Sequence, residues 1–215
     1  MAREKVMANL LYVTCNLKPQ SSSRTLTLGH EFLEEYLRCN PEDEVQTLDL
    51  YRDSIQRVDQ DVLSARGQIE RGEDYGLLSP AERRKLTRIW HLADQFIRCD
   101  KYVFVTHSLN LWFPAEFKMY IDAICVPDRT YRVTPQGVLS MLPGPDRKAL
   151  HLHAGPPYKY IQGQDRSVAY LRSVLNFLGI TDQETTILQG DDPDQTPREE
   201  YERARHGLLE LAQHF

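Results

Sequence analysis

The sequence predicts an α/β fold in which a parallel sheet carries helices on both faces. Five short apolar, β-rich segments occur along the 215 residues, and a segment with helical periodicity or a loop follows each one. Such alternation is typical of parallel strands that are joined by crossover helices. The length suffices for a sizeable core, and we expect residues 1–215 to form a single domain.

Strands and helices can be placed individually. The strands are predicted at Asn9–Thr14, Glu44–Leu50, Lys101–Thr106, Lys148–Ala154 and Glu184–Gln189, and the first, third and fourth should be central because they are the most apolar. The helices are predicted at Ser23–Arg38, Pro80–Arg98, Pro114–Ile124, Asp165–Leu178 and Pro197–Ala212. Ser79, Pro80 and Glu82 give the second helix a capping box with proline at its first position. Two polar segments, 51–78 and 127–147, should be surface excursions.

Composition and charge argue against several classes of protein. The chain has 26 lysines and arginines against 31 aspartates and glutamates, a formal charge of -5, and no long basic cluster, which argues against a nucleic-acid partner. No apolar run approaches the roughly 18 residues of a membrane span, and the N-terminal residues lack an apolar signal core, so we expect a cytoplasmic protein. The four cysteines are widely spaced, contain no C-x-x-C pair and should be reduced.

Three consecutive serines, Ser21–Ser23, follow the first predicted strand and open the first predicted helix in "CNLKPQSSSRT". A helix start needs one serine as a cap, because the hydroxyl accepts a hydrogen bond from a free backbone N–H. A helix N-terminus also offers unsatisfied donors and a partial positive charge, and the hydroxyls and Arg24 would add to a phosphate site there. The segment alone leaves both interpretations open.

The loops after the third and fourth strands are apolar and aromatic. In "THSLNLWFPAEF", Leu109, Leu111, Trp112 and Phe113 must contact another element, a subunit or a flat ligand, although the aromatic pair can also simply anchor the next helix. In "HAGPPYKY", Gly155 permits close backbone approach, and two tyrosines offer flat surfaces. Together with the serines, these loops predict a phosphate site beside an apolar slot, which suits a mononucleotide with a planar ring.

Three histidines lie within or at the end of predicted strands. His151 and His153 alternate along a strand and therefore share one face, but no carboxylate or cysteine at a suitable spacing joins them, so buried, hydrogen-bonded histidines are favoured and no metal site is expected. His107, at the end of the third strand, is a candidate proton donor. The absence of a G-x-S-x-G elbow and of a P-loop motif argues against hydrolases and kinases.

Three motifs carry a resemblance to a known family. "SSSRT" after the first strand, "HSLNLWFPAEFKMYIDAI" after the third and "TYRVTPQG" at Thr130–Gly137 resemble the FMN-dependent NADH:quinone oxidoreductases and azoreductases of the flavodoxin-like fold. The resemblance runs from the first strand through the last helix, with gaps around Asp53–Gly76. It implies a three-layer sandwich whose five-stranded parallel sheet has the order 2-1-3-4-5.

The resemblance also implies an activity. It describes an FMN-dependent NAD(P)H oxidoreductase, a homodimer with active sites at the subunit interface, that reduces quinones or azo compounds by ping-pong hydride transfer through bound FMN. The chemistry would lie on FMN, so no catalytic side chain is expected apart from the candidate donor His107. An FMN-binding electron carrier or redox sensor is the alternative, and a family member that has lost FMN is a third. The choice between NADH and NADPH stays open.

The family's binding positions can be transferred residue by residue. The cofactor-binding positions correspond here to Cys15, Ser21, Ser22, Ser23, Ser108, Leu109, Asn110, Leu111, Ala154, Gly155, Pro156 and Pro157. The substrate or interface positions correspond to Trp112, Phe113, Tyr131 and Tyr158. Cys15 stands where a serine is common and Leu109 where an aromatic is typical. Pro156 and Pro157 lack the backbone N–H that the family uses at the polar edge of the flavin, and Gly155 and Tyr158 would have to compensate.

Overall fold

The computed structural model describes residues 7–63, 75–144, 146–157, 164–194 and 197–215. Its strands, in chain order, are β1 (Asn9–Cys15), β2 (Glu44–Asp49), β3 (Lys101–His107), β4 (Tyr131–Thr134), β5 (Gly137–Ser140), β6 (Lys148–Gly155) and β7 (Asp182–Gln189). The five strands that the apolar segments predict, here β1, β2, β3, β6 and β7, are all confirmed.

The main sheet has the order β2-β1-β3-β6-β7, and every neighbouring pair is parallel. Counted among these five strands alone, that order is 2-1-3-4-5. The three most apolar strands, β1, β3 and β6, are the central ones as predicted, because both of their faces are covered. Strand order reverses between β1 and β3, and in such sheets ligands bind outside the carboxyl ends of the strands at this point.

The predicted helices are also confirmed, with ends that differ by no more than two residues. They are α1 (Arg24–Cys39), α2 (Pro80–Arg98), α3 (Ala115–Ile124), α4 (Ser167–Phe177) and α5 (Arg198–Ala212). The capping box that starts α2 is present: Glu82 N–H donates to Ser79 Oγ over 3.2 Å, and Ser79 N–H donates to Glu82 Oε2 over 2.8 Å.

Helices cover both faces of the sheet. On one face α1 and α5 pack through Phe32 and Leu208 against residues of β1, β3 and β6. On the other face α2, α3 and α4 contribute Leu86, Phe117 and Leu171 to a larger core. The sheet is therefore the middle layer of three, and only its edges and strand ends are open to a ligand.

The sequence predicts a polar loop over residues 127–147, but part of this segment is regular in the structure. Strands β4 and β5 form an antiparallel hairpin in which Tyr131 pairs with Ser140 and Thr134 with Gly137. Gly137 has a φ of 128°, which an L-residue rarely adopts. Strands of four residues are too short for a visible alternation of apolar and polar side chains, and this is why the hairpin was missed.

The other polar excursion, 51–78, is described only at its two ends. Val62 and Leu78 are buried there and join the core under α2. Among the described residues, no helix is both long and apolar enough to span a membrane.

Candidate functional site

Three predicted binding loops begin at one edge of the sheet. Cys15 ends β1 and pairs directly with Thr106 of β3, while His107 of β3 pairs with Ala154 of β6. Because the strands are parallel, their carboxyl ends meet at the same edge. His107 Nδ1 lies 3.1 Å from the carbonyl oxygen of Cys15, so the first two loops are also joined at their bases.

The serines divide into two kinds. A 3-10 turn over Gln20–Ser22, the serine turn, leaves Ser21 and Ser22 exposed, and neither hydroxyl makes a hydrogen bond to a described residue. Ser23 is instead buried, and its Oγ accepts the Leu26 N–H over 3.1 Å as the N-cap of α1. Ser23 is thus the helix cap, and Ser21 and Ser22 are the serines whose hydroxyls remain open to a phosphate.

Sequence reasoning missed a buried carboxylate at this helix start. Asp191 lies just after β7, and its Oδ1 accepts hydrogen bonds from Thr25 N–H at 3.1 Å, Thr25 Oγ1 at 2.6 Å and Ser23 Oγ at 2.8 Å. Its Oδ2 accepts from Asn16 Nδ2 at 2.8 Å, and its backbone oxygen accepts the Arg24 N–H at 2.9 Å. We call Asn16, Ser23, Thr25 and Asp191 the Asp191 cluster. Polar residues after the last strand were the only available signal.

The loop after β3 makes a strained turn. Leu109 N–H donates to the Trp112 carbonyl over 2.7 Å and Trp112 N–H donates to the Leu109 carbonyl over 3.2 Å, while Asn110 and Leu111 between them have φ of 53° and 65°. Asparagine tolerates this left-handed region, but leucine does not adopt it without cost. Within the described residues, neither the Asn110 nor the Leu111 N–H has a partner. This β3 turn (Leu109–Trp112) therefore presents open backbone donors.

The two aromatic residues at the end of the β3 turn, Trp112 and Phe113, pack against helices α3 and α4. Phe113 is 4% exposed and packs 4.3 Å, between ring centroids, from Phe117 of α3. Trp112 packs 5.1 Å from Tyr170 of α4 and is half-buried. Phe113 therefore anchors the next helix, which is one of the two roles that the sequence left open, and Trp112 retains some exposed surface.

Tyr131 lies far from these loops in its own chain. Its ring packs 4.7 Å from that of Phe177, at the C-terminal end of α4, and Ser140 beside it donates to the Leu178 carbonyl over 2.6 Å. Helix α4 begins near the carboxyl edge of the sheet and runs back, so its C-terminal end lies at the opposite edge. The structure does not bring Tyr131 together with the serine turn. Tyr158 lies outside the described residues.

A buried cluster of polar side chains underlies the β3 turn. Thr106 Oγ1 lies 2.9 Å from His151 Nε2 and 2.8 Å from His153 Nδ1, and His153 Nε2 lies 3.2 Å from Asp165 Oδ2. We call these four residues the histidine cluster. The two histidines share a face and are hydrogen-bonded, as predicted. Nowhere in the described ranges do three or more histidine, cysteine or acidic side chains group as metal ligands would.

Charge in this cluster is fixed by the surroundings of Asp165. Burial raises the pKa of its carboxyl, but hydrogen bonds from His153, Ser108 and Ser167 outweigh burial and hold the pKa well below its usual range. Asp165 is thus a carboxylate at neutral pH. It can only accept hydrogen bonds, so His153 carries a proton on Nε2 and the Ser108 hydroxyl donates. The predicted position Ser108 is tied to the histidine cluster in this way.

Cys15 and His107 are two further predicted site residues, and burial changes the chemistry that each side chain can offer. The Cys15 thiol is fully buried in the core on the α2 and α3 side, and burial raises its pKa to about 12. Burial lowers the pKa of His107, so its ring is neutral at neutral pH. Because Nδ1 faces a carbonyl oxygen and must carry the proton, Nε2 is an acceptor rather than the donor of the sequence prediction.

A cavity of about 520 Å³ adjoins the fourth-strand loop. Its walls include Gly155, Pro156, His153, Asp165 and Glu200. None of the residues that line it belongs to the serine turn or the β3 turn, so the cavity covers only one side of the predicted site. At its rim the Pro157 carbonyl accepts a hydrogen bond from Gln189 Nε2 over 3.0 Å.

Comparisons with known proteins agree with this geometry. The model of the family described as "Flavodoxin-like fold" matches residues 8–211. An FMN-dependent NADH:quinone oxidoreductase of Geotalea uraniireducens is 53% identical over 186 residues, 86% of this chain and 89% of the relative, and one of Trichlorobacter lovleyi is 50% identical over the same shares. The crystal structure of an azoreductase from Bacillus anthracis superposes with a TM-score of 0.86 at 27% identity, over 97% of this chain and 100% of that one. The chain therefore belongs to the FMN-dependent NADH:quinone oxidoreductase and azoreductase family of the flavodoxin-like fold.

Proposed function

We propose that this chain is an FMN-dependent NAD(P)H oxidoreductase that reduces quinones or azo compounds. The observation that carries the proposal is the arrangement at the carboxyl edge of the sheet. The serine turn follows Cys15, and the β3 turn follows Thr106, the direct pairing partner of Cys15. Hydroxyl donors and exposed backbone donors on adjacent strands suit the phosphate and the ring of a flavin mononucleotide. The names of the relatives support the same activity.

The donors at the serine turn fit a phosphate. Ser21 and Ser22 offer exposed hydroxyls. The Lys18 ammonium, three positions before Ser21, is already paired with Asp192 at 2.5 Å and lies 3.6 Å from Asp191. Arg24 Nε is buried and has no hydrogen-bond partner among the described residues, although the guanidinium lies 4.2 Å from the centre of the Tyr201 ring. Arg24 Nη2 donates to the Pro193 carbonyl over 3.3 Å, so the guanidinium lies on the Tyr201 side of the helix start. The exposed hydroxyls of Ser21 and Ser22 are therefore the donors that a phosphate would bind.

The donors at the β3 turn fit the polar atoms of a flavin ring. Pro156 and Pro157 provide no N–H, so the fourth-strand loop lacks two donors. The open N–H groups of Asn110 and Leu111 supply two donors in the turn after β3, the strand next to β6. This exchange supports FMN binding over the interpretation that the prolines have abolished it. We therefore propose Ser108–Leu111 and Ala154–Pro157 as the ring-binding segments.

Bound FMN would supply hydride transfer from NAD(P)H to the acceptor in a ping-pong reaction. The chain's own residues bind and orient the cofactor and the acceptor. Asp165 holds the Ser108 hydroxyl and thereby the base of the β3 turn, while His107 presents its Nε2 lone pair. We propose that His107 accepts a hydrogen bond near the ring and does not release a proton to the acceptor. Trp112 offers the partly exposed aromatic surface on which a flat acceptor can stack.

We also propose that the enzyme is a single-domain cytoplasmic homodimer. The β4–β5 hairpin exposes Val133 and Leu139 to 71% and 55%, which is costly apolar surface on one small element. Tyr131 on the same hairpin can approach a flavin only from a second copy, because it lies at the opposite edge of its own sheet. Sedimentation of Val133→Lys should show a shift from dimer to monomer, whereas a monomeric unaltered chain would contradict the proposal.

The decisive experiment is an anaerobic visible spectrum of the protein with FMN, followed by NADH or NADPH and then a quinone or an azo dye. We expect a bound-flavin spectrum that bleaches with a nicotinamide and returns with the acceptor. Replacement of both Ser21 and Ser22 by alanine should weaken FMN binding. The control Ser54→Ala, at another exposed serine, should leave FMN affinity unchanged. Bound flavin that no nicotinamide bleaches would favour the electron carrier, and absence of flavin binding would refute the proposal.

A further inference from the structure

Asp191 connects two segments that are distant in the chain, its own loop after β7 and residues 16–25. Its carboxylate lies 2.8 Å from Asn16 Nδ2 in the loop after β1 and 2.8 Å from Ser23 Oγ, 168 positions earlier in the chain. It is 6% exposed. Lys18 Nζ, 3.6 Å from Asp191 Oδ2, supplies a counter-charge and is shared with Asp192 at 2.5 Å. A buried carboxylate with four donors and a nearby cation is fully satisfied.

These contacts use the donors of the α1 N-terminus. The Arg24 N–H donates to the Asp191 backbone oxygen and the Thr25 N–H to its Oδ1, while the Leu26 N–H donates to Ser23 Oγ. A helix N-terminus favours an anion through its free N–H groups and its dipole, and here a carboxylate of the chain itself is that anion. The helix start is thus closed to an external phosphate.

The donors left for a phosphate lie immediately before the helix, on the serine turn. Ser22 N–H donates to the Pro19 carbonyl over 3.0 Å and Ser23 N–H to the Gln20 carbonyl over 3.1 Å, and these bonds fix the turn backbone. The position of the turn relative to the sheet, however, depends on Ser23, which Asp191 holds. Any movement of Asp191 would therefore move the hydroxyls of Ser21 and Ser22.

We propose that Asp191 is a positioning residue for phosphate recognition by FMN. It closes the helix N-terminus, orders residues 16–25 and directs the phosphate to the hydroxyls of the serine turn. The inference rests on the proposed FMN-binding function and deepens it. The opposite role, a carboxylate that repels the phosphate, predicts the opposite sign, because removal of the charge would then strengthen FMN binding.

The test compares FMN with riboflavin, which has the same ring and no phosphate. Dissociation constants of both are measured by flavin fluorescence for the unaltered protein and for Asp191→Ala. We expect Asp191→Ala to weaken FMN by about tenfold or more and riboflavin by less than about twofold, since only charge-assisted contacts to the phosphate are lost. Amide hydrogen exchange in residues 16–25 should accelerate in the same variant.

Two matched variants protect the test against misfolding. In Asp191→Asn the new amide meets the Asn16 amide donor to donor, so the preference for FMN should fall. Combining it with Asn16→Asp restores a donor and an acceptor and should recover the preference. Asp194→Ala, an exposed acid in the same loop, is the control and should change neither affinity.

Each outcome decides between the roles. An unchanged ratio of the two affinities in Asp191→Ala, or tighter FMN binding, would overturn the positioning role, and so would a failure of Asn16→Asp to rescue Asp191→Asn. If the unaltered protein binds FMN and riboflavin equally, phosphate recognition at this loop is wrong while the flavin function stands. If it binds neither flavin, the proposed function and this inference fail together.

Discussion

The serine turn and the β3 turn leave adjacent strands at the same edge of the sheet, yet they are held in opposite ways. The serine turn has two backbone hydrogen bonds of its own, but its position on the sheet depends on a distant carboxylate that holds Ser23, and the helix that follows it has its first donors satisfied. The β3 turn is held by its own two hydrogen bonds, carries Leu111 at a φ of 65° and leaves its tip donors open. The serine turn is positioned by contacts with residues that are distant in the chain, and the β3 turn has a locally strained backbone.

The difference teaches where each loop is vulnerable. Strained backbone persists only where the surrounding structure enforces it, and beneath the β3 turn that structure is the histidine cluster, linked to Ser108 through Asp165. A side-chain change in that cluster should therefore disturb the ring end of the site and leave the phosphate end intact. Changes around α1 should do the reverse.

Thr106→Val is the most severe way to break the ring end. Valine has the shape of threonine but no hydroxyl, so the buried nitrogens His151 Nε2 and His153 Nδ1 would both lose their partner. Because an unsatisfied buried polar group costs about 1–3 kcal/mol, we expect a loss of about 3 kcal/mol in the free energy of unfolding. Urea unfolding measures it. Thr47→Val on the exposed side of β2 is the control and should stay within about 0.5 kcal/mol; an equal loss in both would contradict the role of the bridge.

Acid should weaken the same end. Burial, and then the neighbouring His153, lowers the pKa of His151 well below its ordinary 6.5. Below pH 6.5, His151 is therefore protonated in the unfolded chain while it stays neutral in the folded chain. Stability must then fall with falling pH, by about 2 kcal/mol from this group between about pH 7 and 5. Burial lowers the pKa of His107 too, which acts in the same direction. Asp165 titrates below this window, because its pKa is lowered.

The slope of stability against pH is the quantity to measure. His151→Gln should flatten it, because the titrating group is gone, whatever the variant does to stability at neutral pH. Thr47→Val, which removes no titratable group, should leave the slope unchanged. Identical slopes for the unaltered protein and His151→Gln would show that His151 binds its proton over the same pH range in the folded and the unfolded chain, and would contradict a lowered pKa.

Gly29→Ala tests the phosphate end through the position of α1. A Cβ at Gly29 would lie 2.9 Å from Val105 Cγ2 and still closer to the Tyr12 hydroxyl, so the helix would have to move off the sheet and take Ser23 with it. We expect a net loss of about 1–2 kcal/mol in stability. At Gly207 of α5 nothing lies within 4 Å of an added Cβ, and Gly207→Ala should gain about 0.5–1 kcal/mol. The same sign at both positions would contradict the close approach.

The fold was predictable because its signals are local. Ser79 and Glu82 lie three positions apart and specify the start of α2, and the apolar strands read directly as the central sheet. The Asp191 cluster has no such signal, since 168 positions separate Ser23 from its acceptor. The left-handed Leu111 was also unpredictable, because leucine avoids that conformation and only tertiary contacts impose it. The loops could therefore be located from the sequence, but the structure was needed to show that Ser23 is a buried helix cap while Ser21 and Ser22 have exposed hydroxyls.

Leu111→Gly should have the smallest effect and the most specific one. Glycine adopts a positive φ freely, so relief of about 1 kcal/mol of backbone strain offsets the loss of a half-buried side chain, and stability should change little. At Leu109, whose φ is not in that region, glycine brings no relief, and Leu109→Gly should be about 1 kcal/mol less stable. FMN and riboflavin should both bind Leu111→Gly about threefold more weakly, because a freer turn must be ordered on binding. Equal losses of stability at the two positions would mean that the turn carries no strain, and an effect on FMN alone would place it at the phosphate end instead.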